Sequence, residues 1–256
     1  MKIISWPGTK IASLHRLPLF SDLSATECAQ IVSTACEKRF ARRKTIFCEG
    51  DPIQQVVMLV SGCVKITQLG FGGEEVILRL CGAGDTVGAF RRLGTNCSHA
   101  STAQTTQPSI ALVWQAAAFE NLLERFPALR RNAFLVLEER LLELEQRFRE
   151  VSTEKVGPRL SSELVRLSNR LGGAGGNAEI GLSRLELAQL TGTTVFTVSR
   201  LLTRWETLGI VSSRRESVQV NDLEALVQFS QSERPVTSCG PCQDSQSMVD
   251  SQMLLE

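Results

Sequence analysis

The sequence predicts an α+β protein in three consecutive parts: a jelly-roll-like β-roll, one long helix, and a C-terminal helical unit closed by a hairpin. Three observations carry that prediction. Between about Lys38 and Trp114 the apolar runs are short, strand-like and punctuated by glycine, as the turns of an antiparallel roll should be. After Trp114 the apolar period becomes helical and holds through nearly three heptads. Beyond Pro158 come short amphipathic helices, then IVSSRRESVQV, two β runs around a polar turn.

Taken in order, LSATECAQIVSTACEKR has helical spacing, with Ser24 as cap and Glu27 three residues on. Cys28 and Cys36 lie eight apart on that stretch, and Cys28 reads as a small apolar residue. The strand-like runs TIFCEGD, VVMLVSGCVKITQL, EEVILRLCGAGDTVG and ASTAQTTQPSIALVW follow, with Gly50-Asp51, Gly62, Gly72-Gly73, Gly84-Asp85 and Gly88 between them. QAAAFENLLERF is a short helix ended by Pro127. In the long helix after it, Phe134, Leu137, Leu141, Leu144, Phe148 and Val151 step by alternating threes and fours. That is the seam of a dimer coiled coil, with Glu138, Glu139, Arg140, Glu143, Glu145 and Arg147 expected on the charged outer face.

PRLSSELVRLSNRL is a further amphipathic helix, GGAGGN a flexible loop, and the polar Ser/Gln-rich tail from about Gln231 is expected to be disordered. The expected division is residues 1–126 for the arm and roll, 127–153 for the dimerisation helix, 154–230 for the C-terminal unit and 231–256 for the tail.

Composition narrows the function classes. The chain has 256 residues, 43% of them hydrophobic, enough for two cores. Its formal net charge is only +1, so contact with nucleic acid has to come from a local patch. No apolar run approaches the roughly 18 residues that span a bilayer, and Pro7, Gly8, Lys10 and Arg16 interrupt the start too often for a signal peptide. Six of the eight cysteines are scattered singly, from Cys28 to Cys97. These features predict a cytoplasmic protein with reduced thiols.

The segment LSRLELAQLTGTTVFTVSRLLTRWE carries the sharpest motif. Ser183 and Glu186 form a capping box. Ala188 is small where two helices cross, and Gly192 sits where a tight turn needs positive φ. Thr194 caps a second helix whose Val198 and Leu201 face back into the core. That spacing is the signature of a helix-turn-helix, and the hairpin after it makes the motif winged. Val195, Phe196, Ser199 and Arg200 then face base edges, with Arg200 able to fork onto a guanine. Thr194, Thr197 and the helix start suit phosphate oxygens, and Arg214 and Arg215 at the hairpin tip reach flanking phosphates. Between Ser183 and Arg215 stand five arginines (Arg184 and Arg204 among them) against two glutamates, so this patch is basic.

With these parts in this order, the chain from about Leu19 to Val227 resembles the Crp/Fnr family of bacterial transcription regulators. TIFCEGDPIQQVVMLVSGCVKI is similar to the family's first β-roll hairpins, and GAGDTVGAF to the segment entering its effector pocket. The resemblance implies a cyclic-nucleotide-binding fold, a homodimer, palindromic double-stranded promoter DNA as target, and contact with RNA polymerase. The family commonly has glutamate where Phe196 stands here, accepting from a cytosine.

The same comparison bears on the effector. Cyclic-nucleotide binders of the family place Gly-Glu at the pocket entrance and Arg-Ser shortly after; here Gly88 is followed by Ala89, and the later position reads NCSHAS without arginine. Arg91 and Arg92 come too early unless the loop is shifted. Counting back from Arg159, the base-contacting helix positions become Leu144 and Glu145. The expected pocket is therefore Gly84, Asp85, Gly88, Ala89, Cys97, Ser98, His99, Leu144 and Glu145, with no cation in its lining and without ordinary cyclic-nucleotide binding. Haem on His99 or His15, a small apolar ligand, and a redox or metal switch on Cys239 and Cys242 of the tail CGPC stay open as signals. A thiol oxidoreductase built on CGPC is the rival enzyme reading, and it lacks any accompanying set of acid, base and nucleophile.

Overall fold

The computed structural model describes residues 14, 17–88, 97–171 and 179–231. His15, Ala89, Arg91, Arg92, Cys239 and Cys242 lie outside them. Leu19 and Phe20, in a single 3-10 turn (Pro18–Phe20), are buried. Helix α1 (Ala25–Ser33) starts with the capping box predicted at Ser24 and Glu27. It ends at Ser33, so Cys36 does not share the helix with Cys28; it opens strand β1 (Cys36–Phe40) opposite Val113.

Strands β2 (Thr45–Phe47), β3 (Gln55–Ser61), β4 (Val64–Leu69), β5 (Glu75–Cys81), β6 (Thr86–Val87), β7 (Thr102–Thr105) and β8 (Ser109–Gln115) complete the roll. They form two antiparallel sheets, ordered β1-β8-β3-β6 and β2-β7-β4-β5. Alternation along β3 and β8 explains their continuous apolar runs, because both faces are buried. Val57, Leu59, Ala111 and Val113 point between the sheets. Val56, Met58, Leu112 and Trp114 point the other way, into a cluster with Phe20, Ile31 and Phe119. The Trp114 indole N–H donates to the Ile31 carbonyl at 2.9 Å, satisfying the polar edge of a fully buried ring.

Helix α2 (Ala116–Arg125) follows, and Pro127 serves as the first residue of the long helix α3 (Pro127–Thr153), where its missing N–H costs nothing. The predicted seam residues Phe134, Leu137, Leu141, Leu144, Phe148 and Val151 all lie exposed along it. The expected outer face needs correction. Arg140, Glu143 and Arg147 turn inward, in step with buried Glu150, and bind this same chain. The helix is thus tied to its own chain by charge and presents its apolar stripe to solvent.

Helix α4 (Val156–Leu171) crosses α3 through an ionic cluster. Arg166 donates to both oxygens of Glu150 at 2.7 Å, and to Glu163, while Arg147 also holds Glu163. The C-terminal unit then runs through β9 (Glu179–Ile180), α5 (Arg184–Thr191), α6 (Val195–Thr207), β10 (Val211–Ser213), β11 (Val218–Val220) and α7 (Leu223–Gln231). The wing is a three-stranded sheet ordered β10-β11-β9; the β9 strand and α7 were not anticipated. One apolar cluster joins Leu164, Leu187, Val198, Leu202, Trp205 and Leu226 to Cys63, Ile77 and Leu80 of the roll. Around it, Arg42 and Arg43 of the roll pair with Glu216 of the wing, and Lys65 with Glu186.

Candidate nucleic-acid interface and effector cleft

The reading head is built from local rules. Ser183 accepts from the Glu186 N–H while the Glu186 carboxylate accepts from the Ser183 N–H, starting α5. Gly192 ends α5 at φ +60, ψ +48, the left-handed conformation that the tight turn requires. The Thr194 hydroxyl accepts from the Thr197 N–H and starts α6. Val198, Leu202 and Trp205 are buried and fix the rotation of α6, while Leu201, predicted inward, is only partly covered.

The opposite side of α6 is open. Val195, Phe196, Arg200 and Arg204 are exposed, Phe196 to 77%. Ser199 is intermediate. The Phe196 ring thus lies open in the first turn, four residues before the exposed Arg200. Arg184, expected among the DNA contacts, turns toward the wing. It donates to the Ser213 hydroxyl at 2.8 Å and faces Glu206 at 3.9 Å, because the start of α5 packs beside β10. Arg214 and Arg215 are exposed at the hairpin tip, with Arg214 3.7 Å from Glu179.

The roll holds a cleft of about 390 Å³ lined by Ile53, Ile66, Arg79, Gly88, Arg140 and the rim from Cys97 to Ser101. Its lining does carry cations, against expectation: Arg79 comes from β5 and Arg140 from α3. Burial, with the like charge of Arg79 beside it, pushes the Arg140 guanidinium down to about 10. Leu144 and Glu145 do not line this cleft. They lie exposed a turn further along α3, and Arg140 is the residue level with Thr86 and Gly88. Gly84 and Asp85 form the turn before β6 instead; the Asp85 carboxylate accepts from the Gly82 N–H at 2.7 Å.

His99 stacks on Phe47 with ring centroids 3.6 Å apart, and burial holds its imidazole below its ordinary pKa against the opposing pull of Asp51. Gly88 closes this stack at φ +78, where a Cβ would meet Phe47 Cζ at 2.7 Å and His99 Cε1 at 3.3 Å. His99 is thus buried against Phe47, with Gly88 at its edge. Among the described residues no group of three or more His, Cys, Asp or Glu side chains is placed to hold a metal ion.

A β-roll joined through a long helix to a winged helix-turn-helix, with an open arginine-bearing recognition helix, defines a DNA-binding regulator. Residues 37–126 match the cyclic nucleotide-binding domain family, and residues 158–229 match the Crp-like helix-turn-helix domain family. An anaerobic regulatory protein of Pasteurella multocida is 26% identical over 197 residues, covering 76% of this chain and 71% of that protein. A CRP-like cAMP-activated global transcriptional regulator of Mycobacterium tuberculosis is 26% identical over 216 residues, covering 83% and 96%. Among solved structures, FixK2 from Bradyrhizobium japonicum superposes with a TM-score of 0.66 at 22% identity, covering 76% of this chain and 96% of that one. The c-di-GMP responsive global regulator CLP of Xanthomonas campestris has a TM-score of 0.65 at 20% identity, covering 77% and 99%. These two structures share the fold. The chain belongs to the Crp/Fnr family of transcription regulators.

Proposed function

We propose that this regulator acts as a homodimer, paired along α3, on two-fold related promoter sites, and that a signal received in the β-roll sets its affinity for them. The observation that carries the reading is the exposed N-terminal half of α6, with Phe196 and Arg200 on its solvent side. Arg200 reads a guanine through O6 and N7, and Phe196 packs against a thymine methyl where the family's glutamate would accept from cytosine. Thr194, Thr197, Arg204, Arg214 and Arg215 hold phosphates. The exposed apolar stripe of α3 supports the dimer, and the two-fold axis of that dimer matches palindromic DNA. On its promoter the dimer contacts RNA polymerase in the cytoplasm, and its role is regulation and not catalysis.

Selection of the binding site from random duplex DNA tests the reading head. Arg200→Ala is expected to lose about 1–3 kcal/mol, roughly 5- to 150-fold in affinity, at a guanine and to relax preference there. A selected site that keeps cytosine opposite Phe196, with preference unchanged in Phe196→Ala, refutes the assignment.

A further inference from the structure

Helix α3 ends at Thr153 and α4 begins at Val156, so the long helix and the DNA-reading unit meet at a short joint, Glu154 and Lys155. Each joint residue brings two soft backbone dihedrals, and Glu154 is extended at φ −105, ψ 149. Left to itself, such a joint lets the reading unit swing. The ionic cluster of Glu150, Glu163 and Arg166 lays α4 against α3. Arg159, buried in the first turn of α4, crosses the joint differently. Its Nη1 donates back to the Val151 carbonyl at 3.3 Å and to the Glu154 carbonyl at 3.4 Å, and its Nη2 donates to the Gly192 carbonyl at 3.2 Å. Val151 lies in the last turn of α3, where carbonyls lack a partner within the helix. Gly192 is the left-handed residue of the turn between α5 and α6, two positions ahead of the Thr194 that caps the recognition helix. One guanidinium therefore joins the end of α3, the joint and the turn that starts α6. Its donors lie in a rigid planar fork, so a swing that carries α6 away from α3 has to break bonds to it.

We propose that Arg159 is a positioning residue that sets the spacing between the two half-sites the regulator reads. The inference rests on the reading of the protein as a dimer paired along α3. With α3 beside the two-fold axis, whatever ties α6 to the end of α3 holds each recognition helix at a set distance and rotation from that axis. Half-sites one helical turn apart lie about 34–36 Å from centre to centre, and one added base pair moves a half-site by about 3.4 Å and about a tenth of a turn. A joint held by Arg159 rejects that displacement, and a joint without it follows. Arg159, buried behind the turn, acts by placing Arg200 and Phe196 and not by touching a base.

Fluorescence anisotropy of the full chain on three duplexes tests this: the site selected from random DNA, and the same site with one base pair inserted or removed between its half-sites. The readout is the ratio of affinities, which a smaller folded fraction leaves unchanged because it scales all three alike. The wild type is expected to bind both altered spacings about tenfold more weakly or worse, and in Arg159→Gln that ratio should fall to about threefold or less. Arg159→Lys keeps the charge but offers one nitrogen to three carbonyls, and its ratio should lie between. A wild type indifferent to spacing, or an Arg159→Gln that loses affinity by one common factor at all three spacings, overturns the inference. If Arg159→Gln fails to fold by circular dichroism, the comparison is read from Arg159→Lys, where an unchanged ratio overturns it. Failure of the dimer reading looks different: a wild type that sediments as a monomer, or whose selected DNA shows no repeated half-site, removes both. A dimer whose wild type and variants are equally strict about spacing sinks this inference and leaves the regulator standing.

Discussion

Replacing Arg166 by methionine isolates the worth of the ionic cluster between α3 and α4. The wild-type guanidinium satisfies Glu150 with two bonds at 2.7 Å and Glu163 with bonds at 3.0 and 2.7 Å. Glu150 is 1% exposed and Glu163 2%. Methionine keeps the apolar stem but removes the fork, leaving Gln146 on Glu150 and Arg147 on Glu163. Breaking a buried ion pair from one side costs about 3–5 kcal/mol, because the remaining charge stays buried. That corresponds to a Tm lower by roughly 6–20 °C for a unit of this size.

The assay is urea unfolding followed by tryptophan fluorescence, since Trp205 is buried in the C-terminal core; the midpoint should fall with the slope unchanged. Acid adds a second readout. Burial pushes the Glu150 carboxyl up, but hydrogen bonds and charge from Arg166 prevail, and its pKa ends below the ordinary glutamate value. A depressed folded-state pKa means stability that is present above the unfolded value and lost as pH falls through the folded one. Arg166→Met should flatten that acid limb. A midpoint shift worth under about 1 kcal/mol, with the acid limb intact, would mean that the cluster behaves as a solvated surface pair, and the reasoning fails.

Two further outcomes follow from exposure and space. Phe148 is 74% exposed, so Phe148→Glu should leave the fold within about 0.5 kcal/mol yet yield a monomer by sedimentation; a dimer that survives it refutes pairing along α3. Gly192→Ala meets nothing within 4 Å and should cost only the left-handed backbone, about 1–2 kcal/mol. Gly88→Ala drives a methyl into Phe47 and should cost about 1–3 kcal/mol more by chemical denaturation. Equal losses at the two glycines would contradict the packing around His99.

The reading head was legible because its rules are local. Ser183 to Glu186, Thr194 to Thr197, and Gly192 between them are relations of three or four residues, and such relations survive in a bare sequence. The exposed stripe of α3 was legible for the same reason, as a period. Helix α7 also has a local start signal, since Asp222 accepts from the Ala225 N–H at 2.9 Å as a helix cap. Of the cleft, the loop residues Gly88, Cys97, Ser98 and His99 were legible and its two arginines were not. Arg79 reads as one charge in an apolar strand, and Arg140 as one of many on a helix surface. Only the packing of α3 over β5 and β6 decides that both turn inward. Counting positions back from Arg159 gave Leu144 and Glu145 the place that Arg140 takes, because a count along one helix cannot see which turn stands level with Thr86.

Strand β5 has a consequence of its own. Arg79 faces the cleft, while Ile77 and Leu80 are buried in the same apolar cluster as Leu187 and Trp205 of the helix-turn-helix. The cleft and the core of the helix-turn-helix therefore share a party wall one strand thick, and a single peptide bond separates a residue of one from a residue of the other. Close-packed interiors transmit displacement without slack. A displacement of Arg79 would fall on a strand whose next residue, Leu80, packs into the core that holds the recognition helix.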